Sequence, residues 1–340
     1  MRAGRFWLWG LLAASVVAGG AEAAILINGA GATFPYPLYS KWFDEFHKRN
    51  GEVQINYQSI GSGGGIRQVL DGTVDFGATD GPMTDEQLKS APVPILHLPT
   101  ALGAVVPAFN VAGVQSLHFT PEVLAGIFLG RITRWDDAAL ARENPQVKLP
   151  DAAIVPVHRA DGSGTTYVFT DYLAKVSPEW ERSVGRGTSV NWPVGLGGKG
   201  NEGVAGLVKQ TPNTIGYVEL IYATQNKLPF GDVRNRSGRF VQASLASVTA
   251  AAAAEKMPED FRVSITDAAG AEAYPISSFT WLLVPARLRD AQKGAALKRF
   301  LEWMLSEGQQ LAPPLDYAPL PPAVVTLERQ ALAKIQVGGA

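Results

Sequence analysis

The sequence predicts an α/β protein of about two domains, and three observations carry that reading. Short apolar strand-like segments alternate with helix-patterned ones, the signature of strand–helix–strand units and mostly parallel sheets. Glycine-rich stretches punctuate them, from Gly29 to Gly200. The length of 340 residues exceeds one typical domain of about 100–200 residues.

The chain opens with a segment that is not expected in the fold. Arg2 and Arg5 precede an apolar run over 6–17, and Ala21-Glu22-Ala23 ends a stretch of small residues. A basic start, an apolar centre and an A-x-A end read as a secretory signal peptide, cut after Ala23. The run is shorter than the roughly 20 residues of a spanning helix, so residues 1–23 are expected to be removed and the remainder exported as a soluble chain. Removal takes away two arginines and one glutamate, moving the net charge from −1 to −2. Lysine and arginine form no long runs, which argues against nucleic acid as a partner. Cysteine is absent, which excludes disulfides and thiolate metal sites. A chain of this size buries enough core to do without them.

Residues 25–27 read as a strand, 28–33 as a glycine-rich turn and 34–47 as a helix with Leu38, Trp42, Phe43 and Phe46 on one face. Pro35 and Pro37 stand at its entrance, where proline is tolerated. The alternation over 53–57 predicts a strand, followed by a turn over 61–65 and a helix over 66–70. A strand over 74–78 ends at Thr79-Asp80-Gly81-Pro82. Residues 152–157 feed a polar turn, 158–165, and a helix over 166–176. A glycine turn over 195–200 precedes a helix over 201–208, and 215–221 reads as a core strand. The segment 231–238 is loop-like, 243–255 helical and 274–284 strand-like. A final helix over 295–306 aligns Leu297, Phe300, Leu301 and Met304.

Three places share one chemical character. Thr33-Phe34, Ser62 and Ser163-Gly164-Thr165 each fall where a turn meets an expected helix start. The first amides of a helix lack internal partners, and the helix dipole adds partial positive charge there. Glycines allow close approach and hydroxyls add donors, so such a place suits an anion. Ordinary helix capping would also put Ser and Thr at these positions.

Seven blocks, in order, resemble the periplasmic phosphate-binding proteins of high-affinity phosphate ABC transporters, over nearly all of the mature length. They are residues 29–35 (GAGATFP), 56–62 (NYQSIGS), 74–80 (VDFGATD), 130–137 (GRITRWDD), 159–165 (RADGSGT), 192–200 (WPVGLGGKG) and 215–219 (IGYVE). The resemblance implies a periplasmic binding protein with two α/β lobes, a hinge and a ligand cleft between them: lobe one from 24–102 plus 277–340, lobe two from 103–276, crossing near 100–106 and 274–280. It further implies that Thr33, Phe34, Ser62, Asp80, Arg159, Ser163, Gly164 and Thr165 hold phosphate, with Asp161 positioning Arg159. The implied partners are inorganic phosphate and the inner-membrane permease, and the implied place is the periplasm. No cofactor or metal is expected, and the free form is expected to be a monomer. The chain departs from the family at Ser59 and Gly63 beside Ser62, and over 231–260.

The residue chemistry agrees with that implication. Arg159 offers a planar donor fork suited to one edge of a phosphate. A carboxylate such as Asp80 fits beside an anion that keeps a proton, as phosphate does near neutral pH. Sulfate keeps none, and an unpaired buried acceptor costs on the order of 1–3 kcal/mol. Alternatively, Asp80 is only a strand-end turn residue before Gly81-Pro82.

Other patterns carry less. Gly195, Gly197 and Gly200 spell a dinucleotide fingerprint, but they follow Trp192-Pro193 rather than an apolar strand. His158, Asp161 and Ser163 supply the letters of a hydrolase triad crowded into one turn, without the G-x-S-x-G elbow. His47, His97, His118 and His158 have no paired metal spacing. The aromatic stripe of residues 42, 43 and 46 reads as core packing, and Lys199 is left outside the site. Two rival functions stay open: the same fold taking arsenate or an organic phosphate, and a phosphatase using Ser163 or Asp80.

Overall fold

The computed structural model describes residues 24–338; the expected signal peptide lies outside the described residues. One eight-stranded sheet runs through the molecule. Its strands are β1 (Ile25–Gly31), β2 (Val53–Ser59), β3 (Phe76–Thr79), β4 (Ile95–Asn110), β5 (Val155–Arg159), β6 (Leu196–Gly198), β7 (Thr214–Glu219) and β8 (Ser277–Pro285). In space they follow the order β2-β1-β3-β8-β4-β7-β5-β6.

The 16-residue strand β4 makes two half-sheets out of one. From Ile95 to Ala104 it pairs with β8, and from Val105 to Asn110 it pairs with β7. The outer pairs of each half are parallel, as expected. The centre departs from the expected parallel pattern: β3–β8, β8–β4 and β4–β7 are antiparallel. One strand carries the chain from the first half to the second and the other carries it back, so the two run in opposite directions.

Helices cover both halves. On the first, α1 (Tyr36–Arg49) packs against β2, α2 (Ser62–Leu70) against β3 and β1, and the helix Ala291–Met304 against β1. On the second, α3 (Gly164–Val176), α4 (Gly200–Gln210) and α5 (Leu220–Asn226) pack against β7. The α1 stripe of Leu38, Trp42, Phe43 and Phe46 is buried, as its spacing requires. Pro35 holds the N-cap position of that helix. No helix among the described residues is long and apolar enough to cross a membrane.

Three glycine runs read as turns are instead strand or helix. β1 continues through Gly31, because Gly29 and Gly31 pair with β2 on one side and β3 on the other. A Cβ at Gly29 would lie 2.1 Å from the Phe76 ring, so the missing side chain makes room for that ring inside the strand. α2 begins at Ser62 rather than 66, since Gly65 lets the helix lie on the β1 backbone: a Cβ there would come within 2.6 Å of the Ala30 carbonyl. Leu196–Gly198 forms the edge strand β6.

Candidate functional site

The ends of β1, β3 and β5 and the starts of α2, α3 and α4 meet where the two half-sheets join. All eight expected ligand residues lie in this region, and each is buried.

The first segment is the turn between β1 and α1. Three consecutive carbonyls of it are each held by a tyrosine hydroxyl: Tyr57 donates to Ala32 O (2.8 Å), Tyr222 to Thr33 O (2.6 Å) and Tyr317 to Phe34 O (2.5 Å). A trans peptide points its N–H opposite its C=O. Fixing the carbonyls of Ala32 and Thr33 therefore aims the amides of Thr33 and Phe34 away from the tyrosines, and neither amide has a backbone acceptor among the described residues.

The second and third segments form one unit. Ser62 is the first residue of α2, and its Oγ accepts from the Asp80 amide at 3.2 Å. The capping reading does not apply to Ser62, whose hydroxyl serves another strand. Asp80 follows β3, is 1% exposed, and its Oδ1 accepts from Thr280 Oγ1 at 2.8 Å. A register shift of β8 against β4 falls at Thr280/Trp281, the kind of bulge that re-aims a side chain. Asp80 Oδ2 has no hydrogen-bond partner among the described residues. Burial pushes the Asp80 carboxyl up to about 7, against the opposing pull of Thr280, Arg159 and Ser62.

The fourth segment comes from the other half-sheet. Arg159, the last residue of β5, directs Nε and Nη2 to the two Asp161 oxygens (2.8 and 2.5 Å). Its Nη1 reaches Thr165 Oγ1 at 3.3 Å. Asp161 also accepts from the Gly200 amide at 3.0 Å. Burial would raise the Asp161 carboxyl, but the hydrogen bond and charge of Arg159 prevail and hold it below the usual range. Ser163 caps α3, its Oγ accepting from the Thr166 amide at 3.0 Å. Capping and a site role coincide here, because a capping hydroxyl keeps its own proton to donate. The amides of Gly164 and Thr165 have no backbone acceptor among the described residues.

Two contacts stitch the halves together at backbone range. The Gly63 amide donates to the Gly162 carbonyl at 2.9 Å. Gly164 sits against Ser62 and Asp80, where a Cβ would fall 2.4 Å from Ser62 Oγ and 2.5 Å from Asp80 Oδ2. The arrangement offers several aimed donors, one guanidinium and one acceptor with an unused oxygen, in a region shut from water. It suits a small anion carrying a proton.

Sequence reasoning missed four participants. Asn201, Thr280, Tyr222 and Tyr317 hold the ligand candidates in place, yet none has a motif of its own: Asn201 and Tyr222 lie in helices, Thr280 in a strand and Tyr317 in a connecting segment. Asn201 stands one residue past the glycine block that ends at Gly200, the only local signal for it. The triad lookalike dissolves: His158 stacks on Trp192 (centroids 4.9 Å apart, 9° between planes), while Asp161 holds Arg159 and Ser163 caps a helix. Lys199 is exposed.

Known proteins give this geometry a family. The family model described as PBP superfamily domain matches residues 17–308. The phosphate-binding protein PstS of Xylella fastidiosa is 47% identical over 306 residues, covering 89% of this chain and 83% of that protein. That of Pasteurella multocida is 45% identical, covering 88% and 87%. Among solved structures, a high-affinity periplasmic phosphate-binding protein (PfluDING) bound with phosphate superposes with a TM-score of 0.75 at 21% identity, covering 92% of this chain and 96% of that one. A phosphate-binding protein from Stenotrophomonas maltophilia gives 0.70 at 20% identity, covering 91% and 94%. At those identities the superpositions speak for the fold alone, whereas the sequence matches run through nearly the whole chain. The chain belongs to the PstS family of phosphate-binding proteins, within the PBP superfamily.

Proposed function

We propose that this chain captures inorganic phosphate in the periplasm and delivers it to the inner-membrane permease of an ABC transporter. The observation that carries the reading is Asp80 Oδ2, a buried carboxylate oxygen without a partner among the described residues, set among amides, hydroxyls and a guanidinium that can all donate. Under this reading the amides of Thr33, Phe34, Gly164 and Thr165, the hydroxyls of residues 33, 62, 163 and 165, and Arg159 surround the phosphate oxygens. Asp80 accepts the one proton that the anion keeps. Sulfate brings no proton to that oxygen, so two acceptors would face each other without water, a pairing that costs several-fold to hundreds-fold in affinity. Arsenate shares the proton and the shape of phosphate and is expected to compete.

The lobes we propose are 24–102 plus 277–340 and 103–276. The change of partner along β4 at Ala104/Val105 and the start of β8 at Ser277 support those boundaries. Thr33, Phe34, Ser62 and Asp80 lie on the first lobe and the remaining ligands on the second, so phosphate bridges them and favours closure. The closed form is what the permease reads, and no turnover is involved. The test is calorimetry on protein freed of endogenous ligand by unfolding and refolding. Tight one-to-one binding of phosphate, with no hydrolysis of a phosphomonoester, is expected. Silence toward phosphate, or phosphomonoester turnover, would contradict the proposal.

A further inference from the structure

Asn201, the second residue of α4, is 0% exposed and lies at the centre of a small hydrogen-bond hub. Its side-chain oxygen accepts from the Glu219 amide at 2.9 Å. A backbone N–H can only donate, so this bond fixes which way the side-chain amide faces and places its NH2 opposite. That NH2 donates to Thr33 Oγ1 at 2.8 Å and to Thr165 Oγ1 at 3.0 Å. The Asn201 backbone amide donates to Thr33 Oγ1 as well (3.2 Å), and Arg159 Nη1 to Thr165 Oγ1 (3.3 Å).

A hydroxyl has two lone pairs and one proton. Both lone pairs of Thr33 and both of Thr165 are taken, and neither hydroxyl donates to any described residue. We infer that Asn201 is a positioning residue that converts Thr33 and Thr165 into obligatory donors toward the anion, leaving Asp80 as the acceptor for a ligand proton. The inference rests on the phosphate reading and deepens it: two of the four site hydroxyls serve the anion as donors only. The other two, of Ser62 and Ser163, each accept one amide hydrogen bond, from Asp80 and Thr166, and keep a lone pair. Thr33 lies on the first half-sheet and Asn201 on the second, so the hub is complete only when the halves are together. The charged or titratable groups bonded into it are Arg159, through Thr165; Asp161, through Gly200; Tyr222, through the Thr33 carbonyl; and Glu219, through its amide. Asp80 stands beside Gly164.

The test titrates phosphate into the wild type, Asn201→Asp, Asn201→Leu, Thr165→Val and the double variant Asn201→Leu/Thr165→Val by calorimetry at about pH 8, where the Asp80 carboxylate is ionised, with folding checked by thermal unfolding. Asn201→Asp keeps the acceptor for Glu219 but replaces the donor by an acceptor, which draws both hydroxyl protons away from the ligand. Phosphate affinity is expected to fall on the order of 100-fold. Asn201→Leu removes the donors without supplying an acceptor, so its loss is expected to be several-fold smaller, and smaller again where Thr165→Val has already removed one of the hydroxyls that Asn201 acts through. Wild-type affinity in Asn201→Asp, or the same cost of Asn201→Leu with and without Thr165→Val, overturns the assignment. If the Asp variant does not fold, the Thr165→Val comparison decides. A wild type silent to phosphate overturns the phosphate reading itself, and this assignment with it.

Discussion

Gly164, the first residue of α3, stands against Asp80 across the junction of the two half-sheets, so close that a Cβ on it would lie 2.5 Å from Asp80 Oδ2 and 2.6 Å from the Asp80 amide. The contact joins the start of a helix in one half to the end of a strand in the other. It places a helix N-terminal amide, without a backbone acceptor among the described residues, beside the Asp80 carboxylate.

Gly164→Ala therefore drives a methyl against the Ser62 and Asp80 side chains and the Asp80 amide, and that backbone cannot step aside. Its helical conformation suits alanine, so the second half should fold normally while the halves fail to meet. Phosphate affinity is expected to fall on the order of 100-fold, about 3 kcal/mol, with little change in unfolding temperature. Calorimetry paired with a thermal melt checks both.

Arg159 is held by two bonds to Asp161 and leaves Nη1 toward Thr165. Arg159→Ala is expected to weaken phosphate by at least about 2 kcal/mol. Arg159→Lys keeps the charge but cannot serve Asp161 with two nitrogens and still reach the ligand, so it should lose nearly as much. An Arg159→Lys variant with native affinity would show that charge alone suffices.

The Asp80 carboxyl is pushed up to about 7 by burial. Below that pH the protonated form prevails, and it can donate to an ion that has no proton of its own. Sulfate should thus compete with phosphate increasingly well as pH falls through about 7. Inhibition of phosphate binding by sulfate, measured across that range, reads the trend. A flat profile would detach discrimination from Asp80.

Glu328, on the helix Pro322–Leu332, is fully buried and neither carboxylate oxygen has a partner among the described residues. Burial raises its carboxyl well above the usual range. Its unfolded form ionises above about pH 4.3 while the folded form stays neutral, so the group lowers stability as pH rises past that value and has no such effect below it. Glu328→Met is expected to stabilise the fold by on the order of 1–3 kcal/mol at neutral pH, with the gain vanishing in acid. Denaturant unfolding at both pH values measures it.

The sequence revealed the alternation of strands and helices, the aromatic face of α1 and the residues that converge on the site. Thr33, Ser62, Asp80 and Arg159 stand in short blocks whose chemistry is local, so they can be read without coordinates. The glycine runs were misread because a glycine that admits a ring or another backbone, as at Gly29 and Gly65, looks the same in sequence as one that makes a turn. The antiparallel centre of the sheet was not legible, since it follows from how β4 and β8 pass between the halves. Thr280 was invisible for a similar reason: 200 residues separate it from the carboxylate it holds. Asn201, Tyr222 and Tyr317 act on hydroxyls and carbonyls of the ligand-facing residues, and no spacing rule links such partners.

The most direct test of the central claim, that a buried acceptor at Asp80 selects phosphate by its proton, is sulfate calorimetry on Asp80→Asn beside the wild type at neutral pH. Asparagine keeps the size of the side chain and offers a donor where the carboxylate offers none. The account predicts measurable sulfate binding in Asp80→Asn, weakened phosphate binding, and silent sulfate in the wild type. Sulfate left undetectable by a well-folded Asp80→Asn, with phosphate bound as tightly as before, would contradict it.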